Sequence, residues 1–391
     1  MAANMRIFWA TQGLIITTDG EVPTGSRPST AGGAIAAHAF ATVTGGGTGV
    51  IMNGVQSVGI TTTFNLEQVF ELGQLSIYEN LENVPDIEVT VERVLDGTTL
   101  TYAAASPNSF TRADGTAVAS QGGLVAGAND RCDVHLAIYS DTATKAGSAV
   151  PKSQVYMSGM YVSSVSYTVP VDGNATESVT LVGNSKAWLN HDSYGWAGAA
   201  EATPGGLTTG TGIGDTDLDF GSDSPLATDG VQRRQEFKLS TSILPADIPG
   251  LDGTGAGNGD DAAGKPLAHM QNFTLSADFG REQIFELGRK GPYHRYVTFP
   301  VEVTSEFEVL STSGDLVGAD EQADNLTDRT ILINLNDGTQ FDLGAKNKLQ
   351  SVGYTGGDTG GGNVSMTFSY TTFNDLSVKT PSVQSNAPGA P

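Results

Sequence analysis

Cys132 is the only thiol in a chain of 391 residues. No intramolecular disulfide can form, and a cysteine on an apolar strand reads as a small buried side chain rather than a nucleophile. Cations are scarce as well: 20 Lys and Arg stand against 43 Asp and Glu, for a net charge of −23. Such a surface does not grip nucleic acid through phosphate contacts, although it can repel DNA that passes nearby. Long apolar runs are missing, so no membrane span is expected. Near the start, Ile7-Phe8-Trp9-Ala10 is too short and too polar a run for a secretory signal. The expectation is a soluble chain made in a cytoplasm. Three tryptophans, Trp9, Trp188 and Trp196, leave little from which to build the aromatic subsites of a carbohydrate-active enzyme.

What the chain does have is glycine, 50 residues of it, placed between short runs of Thr, Val, Ile and aromatic residues that alternate with polar ones. Glu88 to Leu95, Tyr161 to Val169, Ser178 to Val182, Arg329 to Leu335 and Val364 to Tyr370 follow this period of two, which predicts antiparallel strands. Asp172-Gly173-Asn174 predicts a hairpin turn between two of them. Helix is expected only in short pieces, at most one per half. Asn65 to Leu72 and Gly280 to Leu287 could each make two helical turns capped by Gly73 and Gly288, or a strand running into a glycine turn.

Those two segments belong to a repeated passage. Val55 to Gly73 reads VQSVGITTTFNLEQVFELG and Met270 to Gly288 reads MQNFTLSADFGREQIFELG, 215 positions further on without a gap. Tyr78 pairs with Tyr293 and Pro85 with Pro300 at the same spacing. Glu88 to Glu92 then matches Glu302 to Glu306, Asp130-Arg131 matches Asp328-Arg329, Ser164 to Thr168 matches Ser351 to Thr355, and Ser178 to Leu181 matches Ser365 to Phe368. Matching blocks in one order, with gaps of changing length, describe a duplicated domain, and two copies are too few for a solenoid. The predicted organisation is copy 1 over 1–190, with an extra loop at about 103–129, a Gly/Asp-rich linker over 191–232, copy 2 over 233–376, and a flexible arm over 377–391. The fold class is mainly β, two tandem antiparallel β-sandwich or barrel domains.

At these residues a family resemblance emerges. The strand leading into Glu-Gln-aliphatic-Phe-Glu-Leu-Gly, the Tyr five residues later, the Pro and the Glu-Val-Thr strand resemble phage tail tube (major tail) proteins over the matched blocks of both halves. The resemblance implies β-sandwich subunits whose sheets join around a ring, with rings stacking into a hollow tube that carries DNA. For a tandem duplication it implies homotrimeric rings with pseudo-six-fold symmetry, assembled in the host cytoplasm and incorporated in the virion tail. The implied partners are further copies of the chain and other tail proteins: a terminator, a baseplate or tip, and a sheath if there is one. DNA passes through without specific binding, and no membrane and no cofactor is involved. The residues implied in assembly are Glu67, Gln68, Phe70, Glu71, Leu72, Gly73 and Tyr78, with Glu282, Gln283, Phe285, Glu286, Leu287, Gly288 and Tyr293.

Glu67 with Glu71, and Glu282 with Glu286, could form acid/base pairs, but a single active site seldom needs doubling, and a structural role is favoured. Asp215, Asp217 and Asp219 in one loop, or Asp260-Asp261, offer hard oxygen ligands for Ca²⁺ without matching a known loop pattern, so a solvated loop is favoured. His38, His135, His191, His269 and His294 lack metal-like spacing, and the triple glycines are not phosphate loops. No catalytic constellation is expected. A virion-surface adhesin or decoration protein with Ca²⁺-binding loops is the alternative to a tube.

Overall fold

The computed structural model describes residue 7 and residues 12–18, 50–73, 75–111, 117–139, 153–190, 230–243, 248, 269–288, 291–310, 328–356 and 363–379. Copy 1 contains β1 (Gln12–Thr18), β2 (Val50–Ile51), β3 (Val55–Thr63), β4 (Leu66–Phe70), β5 (Ile77–Glu82), β6 (Asp86–Val94), α1 (Thr101–Ala105), β7 (Pro107–Thr111), β8 (Ala117–Gly123), α2 (Leu124–Gly127), β9 (Cys132–Ile138), β10 (Ser153–Pro170), β11 (Thr176–Gly183) and β12 (Ser185–Asn190). Copy 2 contains β13 (Phe237–Ile243), β14 (His269–Asp278), β15 (Arg281–Ile284), β16 (His294–Val297), β17 (Glu302–Leu310), β18 (Leu332–Leu335), β19 (Gln340–Asp342), β20 (Lys348–Thr355), β21 (Ser365–Phe373) and β22 (Ser377–Lys379). The fold is mainly β and antiparallel, as the alternation of the sequence implies.

Eight strands run side by side in the order β3-β6-β11-β10-β14-β17-β21-β20. The first four belong to copy 1 and the last four to copy 2, so the duplication lies within one continuous sheet. Strand β10 is long because it serves two sheets. Its first half pairs with β9 and β12, and its second half pairs with β11 and β14. Register shifts at Met157/Met160 and Val162/Ser164, with Gly159 at φ 66° between them, re-aim the strand from one sheet to the other. A second sheet, β13-β18-β19-β22-β8-β7, covers the joint: Phe341 on β19 lies 4.6 Å from Tyr167 of β10 and 6.4 Å from Phe273 of β14, ring centre to ring centre. Buried apolar residues from both copies form one cluster that runs from Leu14 to Val378.

The two halves match strand by strand in pairing register. Val58, Val91, Val179 and Val165 form one cross-strand row in copy 1, and Phe273, Phe307, Phe368 and Val352 form the matching row in copy 2. The bulges recur at matching sites, Val55/Ser57 with Met270/Asn272 and Val162/Ser164 with Leu349/Ser351. This register corrects two of the letter matches. Glu88 corresponds to Thr304 rather than Glu302, and Ser178 to Thr367 rather than Ser365. Both slips are two residues, which leaves every side chain on its own face.

Of the two forms expected for residues 65–72 and 280–287, the strand running into a glycine turn is the one present: they hold β4 and β15, each closed into a hairpin by its neighbour. Other expectations change. Among the described residues copy 1 has two short helices instead of one, α1 and α2, and both lie within or beside the expected extra loop at 103–129. That segment is built into the fold, since Ala103, Ala104 and Leu124 are buried and β8 pairs with β22. The arm expected from 377 begins as strand β22, with Val378 buried. Of the 191–232 linker, Gln232 is buried, and its backbone bonds to Leu95 and Ala175.

A shared sheet and a shared core predict a single cooperative unfolding transition for both halves. Phe273→Ala, at the joint, should lower stability by about 3–5 kcal/mol and shift that one transition. Calorimetry and urea unfolding check this, and two separated transitions with only one of them moved would contradict it.

Candidate assembly surface

Antiparallel pairing of β10 with β14 joins seven residue pairs, from Ser164↔Asp278 to Pro170↔Asn272. By register β14 corresponds to β3, and β10 corresponds to β20. Among the described residues β3 pairs only with β6, and β20 only with β21, so the two ends of the eight-stranded run are the counterparts of the two strands joined in its middle. An unpaired edge presents a row of backbone donors and acceptors. Side chains at these edges are correspondingly uncovered. Tyr167, at the inner joint, is 0% exposed, whereas its counterpart Tyr354 on β20 is 61% exposed. Ile60 and Val58 on β3 are half-buried, whereas their counterparts Leu275 and Phe273 are buried.

The repeated passages form hairpins at the end of each copy. β4 pairs with β5 and β15 with β16, and Gly73 and Gly288 follow β4 and β15 in turns at φ 103° and φ 85°, conformations open to glycine and costly for other residues. Their tips are apolar and uncovered: Phe70, Leu72, Leu75 and Tyr78 in copy 1, and Phe285, Leu287 and Tyr293 in copy 2, are all exposed. Glu67, Glu71, Glu282 and Glu286 are exposed as well, so the carboxylates four apart decorate a hairpin surface.

Below its tip, the copy 2 hairpin is docked onto copy 1. Gln283 and Arg295, a cross-strand pair, both donate to the Asp86 carboxylate at the start of β6. Arg295 also donates to Asn184 Oδ1 at 3.2 Å, and Arg281 donates to the Val162 carbonyl at 2.7 Å. Burial works to raise the Asp86 pKa, but the hydrogen bonds from Asn65, Arg295 and Gln283 outweigh it and hold the carboxyl below its ordinary value. Burial lowers the Arg281 guanidinium to about 10, which leaves it charged at neutral pH, and it lies over the rings of Tyr161 and Phe279.

The outward face of the eight-stranded sheet has a consistent chemistry. Glu88 and Glu92 on β6, Asp278 on β14, and Glu302, Glu306 and Glu308 on β17 stand there among serines and threonines. Ser57 donates to Glu92 at 2.9 Å, which fixes the two on one face. Arg93 points the other way, into the core. Lys348, at the start of β20, is ion-paired with Asp328 at 2.9 Å.

The motif residues thus gather into two hairpins, while the acidic loop Asp215, Asp217 and Asp219 lies outside the described residues, as do Asp260 and Asp261. Among the described residues no group of His, Cys, Asp and Glu could hold a metal, and no helix is long and apolar enough to cross a membrane. His135 is buried against Tyr156, and His294 stacks on Tyr296. Sequence reasoning missed Asp86, Arg295 and Tyr354. The charge contrast between the hairpins was the available signal for the first two: Leu66 to Glu82 has no basic residue, whereas Arg281, Arg289, Lys290 and Arg295 sit in the second passage.

No protein-family model and no curated protein matches this chain. Among solved structures, the cap that terminates the tube of the anti-feeding prophage is similar at a TM-score of 0.28 and 9% identity, over 49% of this chain and 95% of that one.

The lowered pKa of Asp86 predicts a pH dependence. Its contribution is fully present above the unfolded value of about 4 and is lost as the pH falls through the lower folded value. The gap in melting temperature between the wild type and Asp86→Asn should therefore hold steady from neutral pH downward and close below about pH 4. Melting curves across that range check it, and a gap that widens in acid would contradict it.

Proposed function

We propose that this chain is a structural subunit that closes head to tail into rings, with three chains supplying six sheet units, and that stacked rings form a hollow phage tail tube. The observation that carries the reading is that the outer edges β20 and β3 are the counterparts of β10 and β14, which already pair inside the chain. Repeating that joint between chains satisfies both edges, and a head-to-tail contact of this kind gives a closed ring when its rotation closes. The internal register then fixes the external one. Ser351 meets Thr63 of the next chain, Tyr354 meets Ile60, and Thr355 meets Gly59. Tyr354 is covered there as Tyr167 is covered inside.

A continuous sheet whose outward face carries Glu88, Glu92, Glu302, Glu306 and Glu308 among hydroxyl side chains suits the lining of a conduit, since a polyanion slides past such a wall without phosphate contacts to hold it. The apolar hairpin tips, one set per copy, supply contacts from ring to ring.

Electron microscopy of purified protein should show rings or tubes with a six-fold outline and three chains per ring. Gly59→Cys with Thr355→Cys should crosslink chains into closed trimers under oxidation, with the buried Cys132 leaving the background low. A protein that stays monomeric at high concentration would overturn the reading. Phe70→Asp and Phe285→Asp should each leave rings that stack poorly, to a similar degree, and sedimentation of normal tubes from either variant would remove the tips from this role.

A further inference from the structure

The joint inside the chain and the joint between chains cannot have the same chemistry, because the residues at their corners differ. The copy 1 hairpin matches the copy 2 hairpin in register pair by pair: Leu66↔Glu82 with Arg281↔Val297, Glu67↔Leu81 with Glu282↔Tyr296, and Gln68↔Asn80 with Gln283↔Arg295. On the receiving side, the register places Glu302 where copy 1 has Asp86, and Phe373 where copy 1 has Asn184. Glu302 and Phe373 are themselves cross-strand partners.

We propose that the hairpin β4–β5 of one chain docks onto the Glu302–Phe373 corner of a second copy of this chain, through a contact without an ion pair in place of the one that Arg295 and Asp86 make inside. This rests on the ring reading above. Gln68 and Asn80 take the places of Gln283 and Arg295 and present amides to Glu302. Leu66 takes the place of Arg281 and lies against the β20 carbonyl of Leu349, the counterpart of Val162. Leu66 and Phe373 are 61% and 55% exposed in the single chain, and both become covered in this contact. No arginine or lysine occurs between Leu66 and Glu82, so the docking hairpin brings only the negative charges of Glu67, Glu71, Glu79 and Glu82 toward Glu302. Apolar burial and backbone pairing hold the contact, and like charges oppose it. Inside the chain the opposite holds, and Arg295 with Arg281 draws the second hairpin onto an acidic corner.

The test restores the missing charge. Asn80→Arg places a guanidinium where Arg295 sits in the second copy, and should tighten ring closure at low salt by about fivefold, read as the protein concentration at which half the chains sediment as rings. The gain should vanish in Glu302→Gln/Asn80→Arg and in high NaCl. Wild-type closure should instead strengthen as NaCl rises, because salt screens the glutamates. Circular dichroism and melting of each variant confirm an intact fold. Rings from the wild type with no gain from Asn80→Arg, or a gain that persists in Glu302→Gln, would overturn the proposal and leave the ring reading standing. Failure of the wild type to form rings under any salt would overturn the ring reading and this contact with it.

Discussion

Everything else in the molecule depends on the backbone ladder between β10 and β14. A sandwich sheet of four strands has two edges, and each exposes donors and acceptors that water alone satisfies. Duplication lets the last strand of one unit become the partner of the first strand of the next, and seven residue pairs do so here. The solution is self-propagating. Joining two units consumes one edge of each kind and leaves one of each kind, so the outer edges are always complementary. In the single chain the inner strand is covered and its outer counterpart is not: Tyr167 is packed under Phe341, while Tyr354 is 61% exposed.

The joint is asymmetric in its interior as well. Glu177 on β11 is fully buried and accepts hydrogen bonds from the backbone amides of Thr101 and Tyr102 and from the Tyr167 hydroxyl at 2.8, 3.1 and 2.9 Å. Arg93 lies beside it at 3.9 Å and donates to Thr98 and Asp96. Burial and the Glu177 carboxylate push the Tyr167 hydroxyl pKa well up, so it remains a donor. The register places Val309 and Met366 at the corresponding sites of copy 2. A buried charge cluster contributes little net stability over apolar packing, but every one of its members requires the others in place. Here it fixes α1 against β10, the strand that must present its second half to β14.

Much of this was legible in the residues. Period-two alternation marked β6, β10, β11 and β21, and the letters of the repeat paired β3 with β14 correctly. The matches at Glu88 and at Ser178 slipped because strands dominated by Val, Thr and Glu repeat their own letters every two residues, and a slip of two costs nothing in face or polarity. The FELG passages carried helix-favouring Glu, Gln and Leu at i, i+4, and local propensity was overridden by cross-strand partners that local sequence does not reveal. The Asp86–Arg295 contact spans the two copies and has no local signature beyond the basic residues of one hairpin. Tyr354 and Tyr167 are identical letters in matching contexts, and only the strand order shows that one is covered and the other waits.

That difference bears on why a duplicated chain would keep two unlike corners. Within a chain the second hairpin is tethered to its receptor, so association is intramolecular, and an ion pair with precise partners fixes its orientation. Between chains, an attractive edge would pair as soon as it was made, and free strand edges with apolar neighbours are aggregation sites. In the proposed ring, negative charge on the outer hairpin and at Glu302 would raise the barrier to that encounter while leaving the backbone ladder and the apolar contacts to hold the joint once formed. The net charge of −23 then has a distribution as well as a size. Arg281 and Arg295 stand where the second hairpin grips copy 1, and the outward sheet face carries Glu88, Glu92, Glu302, Glu306 and Glu308.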